Sequence, residues 1–334
     1  MSNDTLVLLH TIFRHGERAP DKSHQYPNDP YINHDFAPYG SGQLTNVGKK
    51  SMYDLGEHMR NIYDDYLGDQ YMPQYVNAYA TDSSRTKASL QLFLASLYPP
   101  KGDNIWHENL NWQPIPYTVY ESKDDNLLGN LVAKPEFLSS YAKNFEAGEG
   151  RKFFETHHEV LEYIRKHSGA KIKYTRDIWL MLGLLVTEKQ FGLTLPEWTK
   201  AVFPDKMIEL ALLEYKMQTA TKELMRFNIG RLVEKILKDT KAKIDKQSQC
   251  KIHVYSAHDF NVAHFLMYFG VMYPHFPNYA ACAILEVHQI DNKYGFKLKY
   301  RPLKTAEFGY LTFPNGSQFL ELEKFEKMVE KLLQ

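Results

Sequence analysis

Short apolar runs alternate with polar loops in the first hundred residues. Residues 5–13 (TLVLLHTIF) are mostly apolar and partly β-branched, which predicts a buried strand. Residues 44–67 carry apolar or aromatic side chains at helical spacing, at positions 52, 55, 59, 62 and 66, with Thr45 as a cap. A second strand over 75–80 and a second helix over 83–97 follow. This order predicts a parallel sheet with crossover helices.

The middle of the chain has a different pattern. Residues 101–120 are rich in Trp, Pro and Tyr and predict irregular structure, whereas roughly 135–240 is mostly helical in periodicity. Strand and helix patterns return after residue 250: strands at 251–259, 281–290 and 295–301, and a helix at 261–271. We therefore predict an α/β domain formed by 1–120 and 245–334, with 121–244 inserted as a smaller α-helical cap domain.

Overall composition excludes several classes of function. The 334 residues are 43% hydrophobic and 14% aromatic, which is enough for a sizeable core. Lysine and arginine number 40, as do aspartate and glutamate, so no global field attracts nucleic acid or a membrane surface. Any chemistry with anions must therefore be local.

Targeting and redox features leave the compartment open. The longest apolar run, 178–186, is about half of what a bilayer crossing needs, and the given N-terminus lacks the apolar region of a signal peptide. Cys250 and Cys282 are too few for a disulfide framework, which favours a reducing compartment. Possible glycosylation sequons at Asn3 and Asn315 favour a secretory one.

Three predicted strand ends carry unusual polar residues, and in open α/β sheets ligands bind where strands lead into helices. The three segments are 14–18 (RHGER), 81–85 (TDSSR) and His258-Asp259. Arg14, Arg18 and Arg85 would repel one another unless an anion lay between them, and guanidinium groups match phosphate oxygens. We expect a phosphate site. The alternative is ordinary ion pairing, with Glu17 or Asp82 as partner.

His15 and Asp259 are the candidates for chemistry. Cationic neighbours depress the pKa of a histidine, and the neutral imidazole is a nucleophile. A hydrogen bond from its Nδ1 to a main-chain carbonyl would leave Nε2 able to attack phosphorus. A carboxylic acid such as Asp259 can protonate a leaving alcohol and then accept a proton from water. The alternatives are a structural histidine and an Asp that caps the 261–271 helix.

These segments resemble the fingerprint of the histidine acid phosphatases, an R-H-G-x-R-x-P string and a distal H-D pair, here residues 14–20 and 258–259. The likeness to the animal prostatic and lysosomal enzymes covers nearly the whole chain, including 40–60, LYPP at 97–100 and NWQPIP at 111–116. It is strongest to the insect venom acid phosphatases, where 192–204 (GLTLPEWTKAVFP) is a telling stretch.

The resemblance implies a role for each residue. His15 matches the nucleophile that becomes phosphohistidine, and Asp259 matches the proton donor. The groups that match the phosphate ligands are Arg14, Arg18, Arg85 and His258.

The same resemblance implies a mixed, largely parallel sheet flanked by helices, the histidine phosphatase fold, and a homodimer that needs no metal or cofactor. It also implies a small phosphorylated substrate, or a phosphoprotein, and a secreted or lysosomal location. The scarcity of cysteine is a departure from the family that keeps a cytoplasmic location as the alternative.

Other functions are left as alternatives. A phytase shares both motifs, although binding a hexakisphosphate requires a more basic site entrance than a chain without net charge suggests. A phosphoglycerate mutase and a non-catalytic secreted binder on the same scaffold are less favoured alternatives. Trp106 and Tyr120 are candidates for lining the substrate entrance, with packing as the alternative. His157-His158-Glu159 lacks the second histidine of a zinc motif and predicts a solvated helix face.

Overall fold

The computed structural model describes residues 5–129 and 134–334. Contacts within the chain divide it into two compact units. Unit 1 comprises residues 1–17, 46–133 and 226–334, and unit 2 comprises 18–45 and 134–225. The sequon at Asn3 lies outside the described residues, and Asn315 is exposed.

Unit 1 contains the sheet. Its strands, as described, are β1 (Leu6–Arg14), β2 (Val76–Ala80), β3 (Thr118–Val119), β4 (Ile252–Ala257), β5 (Cys282–Ile290), β6 (Lys293–Arg301), β7 (Gly309–Tyr310) and β8 (Leu320–Glu321). They are ordered β3-β2-β4-β1-β5-β6-β7, with β8 paired to β6. The pairs that β1 and β2 make with β4 are parallel, whereas β5 runs antiparallel to β1. The sheet is therefore mixed, as expected.

The helices of unit 1 pack apolar stripes against this sheet. They are α1 (Asn46–Leu67), α2 (Ser84–Leu97), α9 (Arg231–Ile244), α10 (Asp259–Tyr268) and α11 (Leu322–Leu333). In α1 the fully buried positions Met52, Leu55 and Met59 face a core shared with Phe13 and Phe93. This spacing of three or four residues is the pattern that the sequence shows, and it fixes which face of α1 is covered.

The last turns of α1 differ from the predicted stripe. Tyr63 and Leu67 are fully buried there, whereas Ile62 and Tyr66 are only partly buried. Tyr63 leaves helical geometry, with φ −118° and ψ 22°, and its hydroxyl donates to the buried Glu286 Oε1 at 2.5 Å. A tyrosine can bury its ring here because its polar end has a partner in the sheet.

The α-helices of unit 2 lie in its second segment, after residue 134. Its helices are α3 (Pro135–Ala147), α4 (Glu149–Thr156), α5 (His158–Ser168), α6 (Thr175–Gln190), α7 (Asp205–Thr219) and α8 (Lys222–Met225). The buried Glu214 of α7 accepts hydrogen bonds from Tyr141 at 2.6 Å and Thr175 at 2.7 Å, which ties three helices together. A carboxyl group in this position needs such donors because burial without them is costly.

The division into units differs from the predicted one at three segments. Residues 121–129, predicted as part of the cap domain, belong to unit 1. Residues 18–45 pack within unit 2, where Tyr31 Oη donates to the Thr194 carbonyl at 2.6 Å and Asn28 Nδ2 to the His167 carbonyl at 2.9 Å. Helix α9 belongs to unit 1, because its buried Thr240 lies 3.2 Å from His10 Nε2 of β1. Long-range contacts of this kind leave no periodicity for a sequence prediction to use.

Several short elements and ends also differ. The short strands β3, β7 and β8 and the helix α11 are not among the predicted elements, and α10 begins at Asp259 rather than at residue 261. Two-residue strands lack the length that makes alternation visible.

Both cysteines are buried and free. In the described part of the chain, no helix is long and apolar enough to cross a membrane.

Candidate active site

Three neighbouring strands end at the same edge of the sheet. Strands β2, β4 and β1 lie side by side and run parallel. The pairing continues past the strands, because His15 N–H donates to the Ala257 carbonyl at 3.0 Å and Thr81 N–H to the Ser256 carbonyl at 3.2 Å. The three segments that the sequence marks as polar strand ends therefore leave the sheet together.

His15 is 3% exposed, and two hydrogen bonds fix its tautomer. Its Nδ1 lies 2.8 Å from the Gly16 carbonyl, which can only accept, so Nδ1 carries the ring proton. Arg85 Nε donates to His15 Nε2 at 3.2 Å, which requires a lone pair on that nitrogen. Both contacts give the same result, an imidazole protonated at Nδ1 with the nucleophilic lone pair on Nε2.

The surroundings also keep this ring neutral. Burial lowers the pKa of His15 well below 6.5, and electrostatic interaction with Arg85, Arg14 and His258 lowers it further. The hydrogen bond to the Gly16 carbonyl raises the pKa, against these larger effects. The lone pair on Nε2 therefore remains available in acid, where an ordinary histidine would be protonated.

Close backbone packing sets the position of His15. Gly16 N–H donates to Ser89 Oγ of α2 at 3.1 Å. A side chain on Gly16 would collide with the carbonyl of Gly48 in the first turn of α1, and a side chain on Gly48 would collide with the backbone of Glu17. Glycine at both positions lets the loop after β1 lie directly against α1.

Arg85 occupies the first turn of α2, which follows the N-cap residue Ser83. The helix dipole disfavours a cation there by up to about 1 kcal/mol. Asp82, the alternative ion-pair partner predicted from the sequence, forms an ion pair with Lys87 at 2.6 Å. The guanidinium of Arg85 reaches His15 Nε2, so it lies where a phosphoryl group attached to that nitrogen would need a counter-charge.

His258 and Asp259 follow β4 and begin α10. His258 is the N-cap, and its ring meets His15 edge-on with centroids 5.5 Å apart. Asp259 is therefore the first residue of the helix and not its cap, so the capping alternative is wrong. Asp259 is 8% exposed, its Oδ2 lies 3.7 Å from Arg14 Nη2, and its Oδ1 accepts from Phe260 N–H at 2.9 Å.

Arg14 is held by contacts that the sequence does not reveal. Its Nη1 donates to the Pro277 carbonyl at 2.8 Å, and its guanidinium lies 4.1 Å from the centroid of the Tyr279 ring. The same ring lies 5.7 Å from the ring of His15. Tyr279 precedes β5, and its sequence surroundings, FPNYAACA, contain no polar cluster that would have identified it.

The structure brings five of the predicted residues together in unit 1: Arg14, His15, Arg85, His258 and Asp259. Arg18 belongs to unit 2, where it is 5% exposed, bridges Leu44 through its backbone and donates from Nη1 to the Ala19 carbonyl at 3.0 Å. Its role in phosphate binding stays a prediction of the sequence motif.

Trp106 and Tyr120 are 56% and 47% exposed. Trp106 Nε1 donates to the Trp112 carbonyl at 2.7 Å, and its ring packs edge-on against His107. Their proposed place at a substrate entrance stays a prediction. In the part of the chain that the structure describes, no three His, Cys, Asp or Glu side chains are grouped to hold a metal ion.

Comparison with known proteins decides the family. The chain is 33% identical to the venom acid phosphatase of Apis mellifera, over 98% of this chain and 85% of that protein. The profile of the Histidine phosphatase superfamily (branch 2) matches residues 5–164. The chain belongs to this family. Histidine phosphatases hydrolyse phosphate monoesters, and this chain is accordingly a phosphoric monoester hydrolase.

Other histidine phosphatases agree with this assignment. The prostatic acid phosphatase of Bos taurus is 32% identical over 96% of this chain and 84% of its own length. The lysosomal acid phosphatase of Xenopus laevis is 28% identical over 96% and 75%. Among solved structures, the phytase of Citrobacter braakii superimposes with a TM-score of 0.67 at 15% identity, covering 98% of each chain. That likeness shows the fold alone.

Proposed function

We propose that this histidine phosphatase is an acid phosphatase that works through a phosphohistidine intermediate on His15. The observation that carries the proposal is the tautomer of His15, in which Nδ1–H donates to the Gly16 carbonyl and the Nε2 lone pair faces Arg85. A buried, neutral imidazole with a guanidinium at its nucleophilic nitrogen is suited to attack a phosphoryl group.

In the proposed first step, His15 Nε2 attacks phosphorus in line and the ester P–O bond breaks. Arg14 and Arg85 stabilise the negative charge on the equatorial oxygens, and the motif assigns His258 and Arg18 the same role. The attacking nitrogen loses no proton, since Nδ1 already carries the ring proton. The product is a phosphoryl group bonded to Nε2.

We propose that Asp259 manages the proton in both steps. As an acid it protonates the leaving alkoxide when the P–O bond breaks. As a carboxylate it then takes a proton from the water that attacks the phosphohistidine, which breaks the P–N bond and releases inorganic phosphate. Its position supports this role, because its Oδ2 lies 3.7 Å from Nη2 of Arg14, the residue that precedes His15.

The dependence on the leaving group tests this assignment. Asp259→Asn should lower kcat/KM for an alkyl phosphate by about 10²- to 10³-fold, because the departing alkoxide needs a proton. The same substitution should lower it less than about tenfold for p-nitrophenyl phosphate, whose leaving group is stable as an anion. Asp82→Asn, which alters the exposed partner of Lys87, is the matched control. Equal losses for both substrates would give Asp259 another role.

We infer a small phosphorylated substrate, with a phosphoprotein as a second candidate. The phytase alternative shares the proposed chemistry and is decided by the relative turnover of phytate and a simple ester. A non-catalytic binder is decided by one assay with p-nitrophenyl phosphate near pH 5. Absence of turnover by correctly folded protein would support the binder.

We further propose a homodimer and a secreted or lysosomal location, with a cytoplasmic location as the alternative. The names of the relatives, which are venom, prostatic and lysosomal enzymes, support the location. Large exposed apolar side chains close together in sequence support an interface in unit 1: Ile105, Trp106, Leu110, Trp112 and Tyr120. Light scattering of the purified protein and its Trp106→Ser variant tests the dimer, and cell fractionation tests the location.

A further inference from the structure

Two threonine side chains form a hydroxyl chain that starts at His258, and the donor in each of its hydrogen bonds can be deduced. His258 Nε2 lies 3.0 Å from Thr81 Oγ1, which lies 2.9 Å from Thr86 Oγ1. Thr86 Oγ1 in turn lies 2.8 Å from the Thr81 carbonyl and 2.9 Å from the Ser83 carbonyl. Thr81 is 5% exposed and Thr86 is fully buried.

The two carbonyl groups determine which group donates in each hydrogen bond of this hydroxyl chain. A carbonyl has no proton to give, so Thr86 must donate its hydroxyl proton to one of them. Its oxygen then accepts the proton of Thr81. Since the proton of Thr81 is used in this way, Thr81 Oγ1 can only accept from His258. The nitrogen of His258 that faces Thr81 must therefore be an Nε2–H donor.

We propose that Thr81, supported by Thr86, is a positioning residue that holds His258 as an Nε2–H donor and fixes its ring beside His15. This inference rests on the proposed phosphate-binding role of His258. The hydroxyl chain belongs to the segment that begins α2 and carries Arg85, so one short stretch orients both groups. His258 is also anchored through its backbone, which donates to Asn261 Oδ1 at 3.1 Å.

The geometry explains why a hydroxyl group is needed at position 81. The backbone N–H of Thr81 continues the pairing with β4 at the Ser256 carbonyl, which places its side chain beside the residue that follows that strand. Ser256 Oγ in turn donates to the Thr86 carbonyl at 2.8 Å and ties β4 to α2. A hydroxyl at position 81 can accept from His258 while donating to Thr86, which an apolar side chain of the same shape cannot do.

The test compares Thr81→Val with Thr81→Ser. Valine keeps the shape of threonine and removes the acceptor, whereas serine keeps the acceptor. Thr11→Val is the control for the same substitution in the same sheet, because the buried Thr11 hydroxyl has no hydrogen-bond partner among the described residues. Each protein is labelled with ¹⁵N in its histidines, and the ring signals of His258 are assigned by their loss in His258→Gln.

In wild type, in Thr81→Ser and in Thr11→Val, the ring signals should show a proton held on Nε2 of His258. In Thr81→Val the Nε2–H signal of His258 should shift because its acceptor is gone, while the ring still accepts from the backbone N–H of Asn261 and keeps its tautomer. The affinity for inorganic phosphate should fall by about 3- to 10-fold, in keeping with the loss of one buried hydrogen bond. Unchanged His258 signals and phosphate affinity in folded Thr81→Val would overturn the inference.

The two proposals can fail separately. If wild-type protein binds no phosphate and turns over no ester, the proposed function fails, while the Nε2–H signal of His258 still decides the role of Thr81. If Thr81→Val loses activity but keeps the wild-type His258 signals, its effect is not on His258 and the inference fails. Thr86→Val should give a weaker form of the Thr81→Val result, because Thr81 then keeps its oxygen but loses the acceptor for its own proton.

Discussion

Two pairs of neighbouring histidines lie along the segments of strands β1 and β4, and the contacts of the two pairs differ. His10 and His253 face each other in the register of the parallel ladder. His15 and His258 follow five residues later on each chain segment, just beyond the strand ends. The same residue type therefore occurs twice on the same two strands, once inside the sheet and once at its edge.

The interior pair is part of the packing. The two rings stack with centroids 4.8 Å apart and an angle of 13° between planes. His10 Nε2 pairs with the hydroxyl of Thr240, and His253 Nδ1 lies 3.3 Å from Asp239 Oδ2 of α9. Burial lowers the pKa of His253 to about 4, although Asp239 raises it.

The pair at the strand ends is held differently. His15 and His258 meet edge-on, with 76° between their planes, and Arg85 Nε donates to His15 Nε2. His15 and His258 lie where the parallel strands lead into loops and helices, so their side chains can converge on a ligand. Position along a strand, not residue type, separates a structural histidine from a chemical one.

The largest effect should come from His15. We expect His15→Ala to lower kcat by at least about 10³-fold, because no other group in the proposed mechanism can form the covalent intermediate. The measurement is steady-state hydrolysis of p-nitrophenyl phosphate, with the circular dichroism spectrum as the check of folding. A loss below about tenfold in a folded variant would remove the distinction between the two pairs.

Substitution of Arg85 should have the second largest effect on activity. Arg85→Ala should lower kcat/KM by about 10²-fold, since it removes a charged donor at the phosphoryl group. Arg85→Lys should recover only part of this loss, because an ammonium cannot reproduce the guanidinium fork. Lys87→Ala, on the same helix and paired with Asp82, is the control and should stay within about twofold.

The acidic limb of the pH–rate profile should lie well below pH 6.5. Protonated His15 cannot attack, and burial followed by Arg85, Arg14 and His258 lowers the pKa of that ring. The profile of kcat/KM between pH 3 and 8 reports the free enzyme. An acidic limb centred near 6.5, the ordinary pKa of histidine, would show that His15 is not held neutral.

The interior pair should affect stability and leave the chemistry nearly unchanged. His10→Phe should keep kcat within about threefold and lower the free energy of unfolding at pH 7.5 by about 1 kcal/mol, through the lost bond to Thr240. The measurement is urea unfolding combined with the same phosphatase assay. A large loss of kcat in the folded variant would mean that the two histidine pairs are coupled.

The pH dependence of stability gives the smaller effect. Burial lowers the pKa of His10 in the folded protein, so its contribution to stability is complete above about pH 6.5 and is lost as the pH falls, because the unfolded chain then binds the proton. Stability of His10→Phe should therefore fall less steeply than that of wild type between pH 6.5 and 4. An identical slope in both proteins would contradict this interpretation.

Much of the fold and of the candidate site follows from the sequence. The long strands and the helices that flank the five site residues come from strong local periodicity, and the polar residues at three strand ends indicate a common ligand. The sequence also predicts the position of Arg85 in the first turn of α2, because Asp82 and Ser83 mark the start of the helix.

The remaining features depend on long-range contacts. Thr81 is in a polar strand-end segment, but its importance appears only when His258 of another strand lies 3.0 Å away. Tyr279 precedes a strand with no distinctive pattern, and its role depends on Arg14 lying against its ring. The grouping of residues 18–45 with unit 2 likewise depends on hydrogen bonds to partners more than a hundred positions away, such as that of Tyr31 to Thr194.

The most direct test is to look for the phosphoenzyme itself. Enzyme mixed rapidly with a labelled phosphate monoester and quenched in denaturing alkali, in which phosphohistidine is stable, should carry label on a peptide that contains His15, bonded through Nε2. Asp259→Asn with p-nitrophenyl phosphate should accumulate more of it, because attack by water then lacks its base. Protein that turns over substrate in the steady state but never carries label on His15 would contradict the proposed mechanism.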